Sequence, residues 1–254
     1  MTMRRWSLAL KGLLMAGLLV MALPASAGAL LIWPIHPVIE NGRSATALWL
    51  ENRGSEPTLI QLRIFEWQQR EGKDQYQSQD DLVGSPPMME IAPGQQQLVR
   101  LIRRTPPPPS GEEQAWRVIL DEVPTSSASD GPAGQTRAGV ELQMRYSLPL
   151  FDYGEGAAPE DGAEASEVAS MLGWRIIREN GRRYLEVRNR GERHARLTEV
   201  AFGQGATVTK GLLGYVLADS YRRWPLEETT PGDTLFARVN GGETVRLARW
   251  SPAP

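Results

Sequence analysis

The chain has 254 residues, 41% hydrophobic and 23% charged, with a net charge of −2. This is the make-up of a folded protein of one or two domains; it excludes a disordered chain and speaks against nucleic acid as a partner. With no cysteine and only His36 and His194, the chain lacks disulfides, thiolate metal sites, a cysteine nucleophile and a three-histidine metal site.

Residues 1–27 read as a secretory signal. Arg4, Arg5 and Lys11 precede an apolar run from Leu13 to Leu23, then Pro24 and the small triplet Ala25-Ser26-Ala27. The run of about eleven residues is short of the roughly 20 that span a bilayer, so the expectation is cleavage near Ala27 and no stable membrane insertion. Removal of this segment leaves 25 basic and 30 acidic residues.

Residues 28–151 hold short apolar runs between turn signals. Strands are expected at 29–39, 45–52, 58–67, 82–91, 96–103, 115–123 and 139–151. Asn41-Gly42, Asn52-Arg53-Gly54, Gly72, Pro86-Pro87, Pro93-Gly94 and Pro106 to Pro109 punctuate them. Seven short strands predict an antiparallel sandwich of immunoglobulin type. Residues 152–170, rich in Gly, Ala, Glu and Asp, read as a linker or exposed loop. Residues 171–254 give strands at 172–178, 183–189, 195–202, 213–218, 234–239 and 243–250, with hairpin signals at Asn180-Gly181 and Asn240-Gly241-Gly242. The fold class is therefore all-β, with a second, smaller β domain.

The most informative segment is Gly139 to Phe151. Val140, Leu142, Met144, Tyr146, Leu148 and Leu150 alternate with Glu141, Gln143, Arg145, Ser147 and Pro149. Such period-two patterning makes a strand with one apolar face. This strand is long against the usual five or six residues, and Pro149 suits an edge or a strand end. A long apolar edge strand invites aggregation unless a partner shares it. Nothing resembles a nucleophile turn, an H-E-x-x-H helix or a P-loop, so no enzyme and no cofactor are expected.

Several segments together resemble the periplasmic pilus-assembly chaperones, the PapD-like family. They are Trp33-Pro-Ile-His-Pro-Val-Ile39, Ala47-Leu-Trp-Leu-Glu-Asn52, Ser85 to Leu101 with its Pro-Gly-x-x-Gln-x-Val-Arg-Leu core, Trp116 to Pro124, and Leu142 to Phe151. The opening and the Arg145–Phe151 ending look like the archaic, spore-coat-U type. The resemblance implies two immunoglobulin-like domains in a bent arrangement. It implies pilus subunits and an outer-membrane usher as partners, a periplasmic location, and a monomer or weak self-capped oligomer when free. It further implies donor-strand complementation, in which the even-numbered row from Val140 to Leu150 completes a subunit lacking its last strand. The family anchors the subunit's C-terminal carboxylate with cations. Here the first-strand position falls on His36 and the last-strand position near Ser147, so Arg100 and Arg145 are the expected anchors. Arg103 and Glu122 join His36 as expected cleft residues, Glu122 matching a Glu that belongs to an interdomain ion-pair network. The polar loop Pro124–Ala138 would lengthen the donor segment. A secreted adhesive sandwich, either a pilus subunit or a surface-binding module, is the alternative; it would carry a free donor extension and a single incomplete domain.

Overall fold

The computed structural model describes residues 30–124, 143–157, 164–226 and 231–250. The signal segment, Val140, Leu142, nearly all of the Pro124–Ala138 loop and the middle of the expected linker lie outside them.

The first half runs β1 (Leu30–Trp33), β2 (Val38–Ile39), β3 (Ala45–Asn52), β4 (Thr58–Arg70), β5 (Lys73–Ser78), β6 (Leu82–Ser85), β7 (Met88–Ile91), β8 (Gln96–Arg103), β9 (Glu113–Val123) and β10 (Arg145–Tyr153). One sheet has the order β1-β3-β8-β6. The other has the order β2-β10-β9-β4-β5, with β7 also on β4. Alternation decides what faces inward. Leu48 and Leu50 of β3, Ile60 and Leu62 of β4, Val99 and Leu101 of β8, and Val118 and Leu120 of β9 fill the space between the sheets.

Two expected strands are each two strands. The 29–39 segment breaks at Pro34 to Pro37, which supply no ladder amide at either end of the loop; β1 stays in one sheet and β2 crosses to the other. The 82–91 segment breaks at Pro86-Pro87 in the same manner. Its halves pair with β8 and β4 respectively. β5 was not expected, because Lys-Asp-Gln-Tyr-Gln-Ser has no apolar alternation. It forms because the Glu71-Gly72 turn, both residues at positive φ, folds it back on β4.

The second half runs α1 (Glu164–Ser170), β11 (Leu172–Glu179), β12 (Arg182–Asn189), β13 (Ala195–Phe202), β14 (Leu212–Val216), β15 (Tyr221–Pro225), β16 (Leu235–Val239) and β17 (Thr244–Arg249). The strand order is β14-β13-β16-β17-β11-β12-β15. Trp174, Leu185, Val187, Leu197, Phe202 and Val239 centre its core. The expected linker is not all loop: its first residues finish β10, and its last seven form α1, whose Val168 is buried in the second core. Among the described residues no helix is long and apolar enough to cross a membrane.

Candidate functional site

β10 pairs with β9 along its whole length, from Arg145↔Asp121 to Tyr153↔Glu113. On its other side, among the described residues, it meets only β2, at Phe151 and Asp152. The Phe151 amide donates to the Pro37 carbonyl at 3.3 Å. Backbone groups alternate sides along a strand, so those of Arg145, Ser147 and Pro149 point to the same side. Among the described residues no strand takes them. Pro149 thus sits within the strand, where its missing amide deprives no neighbour of a bond.

The free stretch lies beside an incompletely sealed core. Leu148 and Leu150 are buried within their own sandwich, whereas Tyr146, Leu30 and Ile64 are only partly covered against it. Met144 is 46% exposed. The Tyr146 hydroxyl donates to Glu122 Oε1 at 3.3 Å; burial first, and then the Glu122 carboxylate, push its pKa up. On the outward face, Arg63 and Arg145 share the single carboxylate of Asp121. Desolvation raises its pKa, but the hydrogen bonds from Arg145 and Arg63, and then their charges, outweigh it and hold the pKa down.

At its far end β10 enters the junction between the two sandwiches. Phe151 and Tyr153 pack with Trp67, Ala157, Tyr215 and Leu217. The His194 ring stacks on Phe151 at 3.5 Å, while its amide and Nδ1 meet Glu113 at 3.0 and 2.7 Å. Gln69 donates to the Tyr215 carbonyl and accepts from the Leu217 amide, both at 2.9 Å. Arg222 reaches Asp74 at 2.6 Å, and the Gly72 carbonyl accepts from both Arg222 and the Arg223 amide. Gly154, at the exit of β10, passes so close to the backbone of the Pro106–Pro109 run that a Cβ there would lie 1.9 Å from the Pro109 carbonyl oxygen.

A profile described as "Pili and flagellar-assembly chaperone, PapD N-terminal domain" matches residues 36–153. Among solved structures, the chaperone in the CsuC–CsuE chaperone–tip adhesion subunit pre-assembly complex of the archaic chaperone-usher Csu pili of Acinetobacter baumannii is 30% identical, with a TM-score of 0.68. That match covers 88% of this chain and 100% of the other. The chain belongs to the PapD-like family of pilus-assembly chaperones. Two further chaperone structures share its fold. Escherichia coli DraB is 18% identical at TM-score 0.59, covering 89% of this chain and 97% of that one. A chain of the Salmonella enterica SafA pilin–SafB chaperone complex is 18% identical at 0.62, covering 87% and 95%. No curated protein sequence matches the chain.

In this chaperone the expected site residues are distributed as follows. Tyr146, Leu148 and Leu150 line the inner side of β10 in sequence order, with Met144 just before the strand; Leu148 and Leu150 are already spent on the chaperone's own core. Arg145 stands on the outward face of the β10 sheet, bound to Asp121. Arg100 is exposed on the outward face of the other sheet, between Ala47 and Ser85, so the sandwich separates the two arginines. His36 does lie at the junction, its Nδ1 3.2 Å from the Tyr215 hydroxyl. Burial chiefly, then the charges of Arg196 and His194, hold its pKa below the usual histidine value. Arg103 is enclosed within the first sandwich, ion-paired with Asp152 and donating to the Arg43 carbonyl. Glu122 accepts from the Met144 amide and Tyr146, and therefore serves β10 rather than the junction.

The residue that sequence reasoning missed is Arg117. Between Trp116 and Val118 it reads as one more solvent-facing charge. The fold instead lays its guanidinium 3.7 Å over the Trp67 ring, with Tyr76 and Tyr215 within 6 Å. It is 8% exposed, burial lowers its pKa, and it forms no ion pair among the described residues. Only knowledge of which face meets the second sandwich could have singled it out.

Proposed function

We propose that this chaperone acts in the periplasm and binds pilus subunits by lending them the free edge of β10, then passes them to an outer-membrane usher. The observation that carries this reading is the backbone of Arg145, Ser147 and Pro149, which no strand pairs with among the described residues, beside a half-covered row of apolar side chains. Backbone groups of a subunit strand would extend the β2-β10-β9-β4-β5 sheet, while alternate side chains enter the subunit's groove. The solved complexes of CsuC with a tip adhesion subunit and SafB with a pilin support subunits as the partner class.

Because Leu148 and Leu150 are committed inward, the residues offered to a subunit are Val140, Leu142, Met144 and, in part, Tyr146. Each fully buried apolar side chain adds roughly 1.5–3 kcal/mol before ordering costs. Arg145 shares the Asp121 carboxylate with Arg63, whereas Arg117 has no carboxylate partner among the described residues, so the subunit's terminal carboxylate is assigned to Arg117. The signal segment supplies the export route.

The test is co-expression with the nearest encoded pilin, followed by size exclusion of a periplasmic extract. Wild type should give a soluble 1:1 complex. Leu142→Asp/Met144→Asp should stay folded and give none. Equal capture by the double variant refutes the donor-strand reading.

A further inference from the structure

Charge is unevenly divided along the exported chain. Residues 28–170 hold 11 basic and 21 acidic residues, whereas residues 171–254 hold 14 basic and 9 acidic ones. In the second sandwich much of the positive charge collects on one side. The outward face of β17-β11-β12-β15 carries Arg175, Arg182, Arg188, Arg223 and Arg246 against only Glu179 and Glu186. Glu186 is 1% exposed and offsets one charge of the Arg175–Arg223 pair, so the face keeps a net positive charge.

This face is built rather than merely charged. Glu186 takes the Nε of Arg175 at 2.5 Å and the Nε of Arg223 at 2.7 Å. Both guanidiniums are thereby fixed through their inner nitrogen. Among the described residues the two Nη atoms of Arg175 have no hydrogen-bond partner. Trp250 lies over Gly173, where a Cβ would come within 3.0 Å of the Trp250 Cβ, and its amide donates to the Trp174 carbonyl at 2.7 Å. Arg175 stands 4.0 Å from the Trp250 ring and Arg188 5.5 Å. The one carboxylate within ion-pair distance of Arg188 among the described residues is the exposed Asp219, at 4.0 Å. Two guanidinium forks thus flank one indole on a flat sheet face.

We propose that this face is a docking surface for an acidic protein segment, gripped by Arg175 and Arg188 around Trp250 while the β10 edge stays free for the subunit. Arginine forks bind carboxylates through paired bonds, and an arginine–tryptophan–tyrosine make-up marks the energetic centres of protein interfaces. A bilayer would need only mobile positive charge near its surface, not a fork fixed, as Arg175 is, by a buried glutamate. The β10 edge belongs to the other sandwich, so subunit and acidic partner can be held together.

The experiment measures fluorescence anisotropy of a labelled twelve-residue Glu/Asp-rich peptide with the exported chain, beside the same peptide carrying Gln and Asn. Only the acidic peptide should bind, and salt should weaken it. Arg175→Gln/Arg188→Gln should weaken binding about tenfold. Arg178→Gln/Arg190→Gln, an equal charge change off the Trp250 slot, should weaken it less than about twofold. Arg188→Gln alone leaves Glu186 untouched and should account for several-fold, so misfolding around Glu186 does not obscure the result. Pilin capture should be unchanged in all three variants, which separates this face from the β10 edge. Equal weakening by both double variants would overturn the proposal, since net charge alone would then explain binding. So would binding to phosphatidylglycerol vesicles, but not to the peptide, that depends on Arg175 and Arg188. Salt-sensitive self-association abolished by the same double variant would also overturn it, identifying a second copy as the occupant.

Discussion

Proline at position 147 distinguishes the two sides of β10. The Ser147 amide points away from β9, on the side where Phe151 donates to Pro37 and where no described strand pairs with residues 145–149. Ser147 itself is exposed, and Pro149 already occupies an equivalent position. Ser147→Pro therefore removes no hydrogen bond from the free chaperone, and its stability should fall by less than about 1 kcal/mol. Leu148→Pro takes an amide directed at β9 and empties a core position, at a cost of about 3 kcal/mol or more. With a urea slope of roughly 1–3 kcal/mol per molar, the second variant should lose about 1 M or more of unfolding midpoint while the first scarcely moves. Binding should show the reverse. A subunit strand on the free edge loses one ladder bond to Ser147→Pro, about 0.5–1.5 kcal/mol, and meets the ring as an obstruction. Subunit capture, read by size exclusion against wild type in competition, should drop at least several-fold. If Ser147→Pro destabilises the chaperone as much as Leu148→Pro, the edge is not free. If it captures pilin as wild type does, strand addition is not how the edge is used.

Three further outcomes are expected. Arg103→Met strands the buried Asp152 carboxylate and should cost about 3–5 kcal/mol in urea unfolding, whereas Arg103→Met/Asp152→Leu should regain most of it; a single variant of wild-type stability would show that the pair carries nothing. Gln69→Ala removes two bonds between the sandwiches, about 1–3 kcal/mol of docking, so exchange of the Leu217 amide should quicken at least about fivefold, and unchanged exchange would contradict this. The folded chain holds a proton on His36 less tightly than the unfolded chain does. The stability carried by its neutral form is therefore complete above 6.5 and is lost as the pH falls through that value toward the lower folded one. Wild type should be less stable at pH 5 than at pH 7.5, with Arg196 and His194 nearby and Glu113 on His194. His36→Gln should narrow the difference, and an unaltered pH profile would remove His36 from the account.

Sequence alone reached the fold class, the family and most strands of both sandwiches, because alternation is imposed locally: Leu148 and Leu150, or Val118 and Leu120, turn inward wherever the strand lies. The prolines at 34, 37, 86 and 87 stand in plain view, yet the expected strands 29–39 and 82–91 ran through them, and their crossings between sheets were not legible either. That depends on which neighbour each half finds. β5 and α1 escaped notice because polar composition hides an element that forms through pairing or through one buried residue such as Val168. Alternation also could not say which even-numbered residues of β10 are spent inside, since the sheet above covers Leu148 and Leu150 but not Met144. Charges were the least legible of all. Arg103, Arg117 and Arg145 look alike in the chain, yet packing sends the first to a buried aspartate, the second over a tryptophan at the junction and the third to an exposed edge. A side chain's period is set by its own backbone; its partner is set by what the rest of the chain brings opposite it.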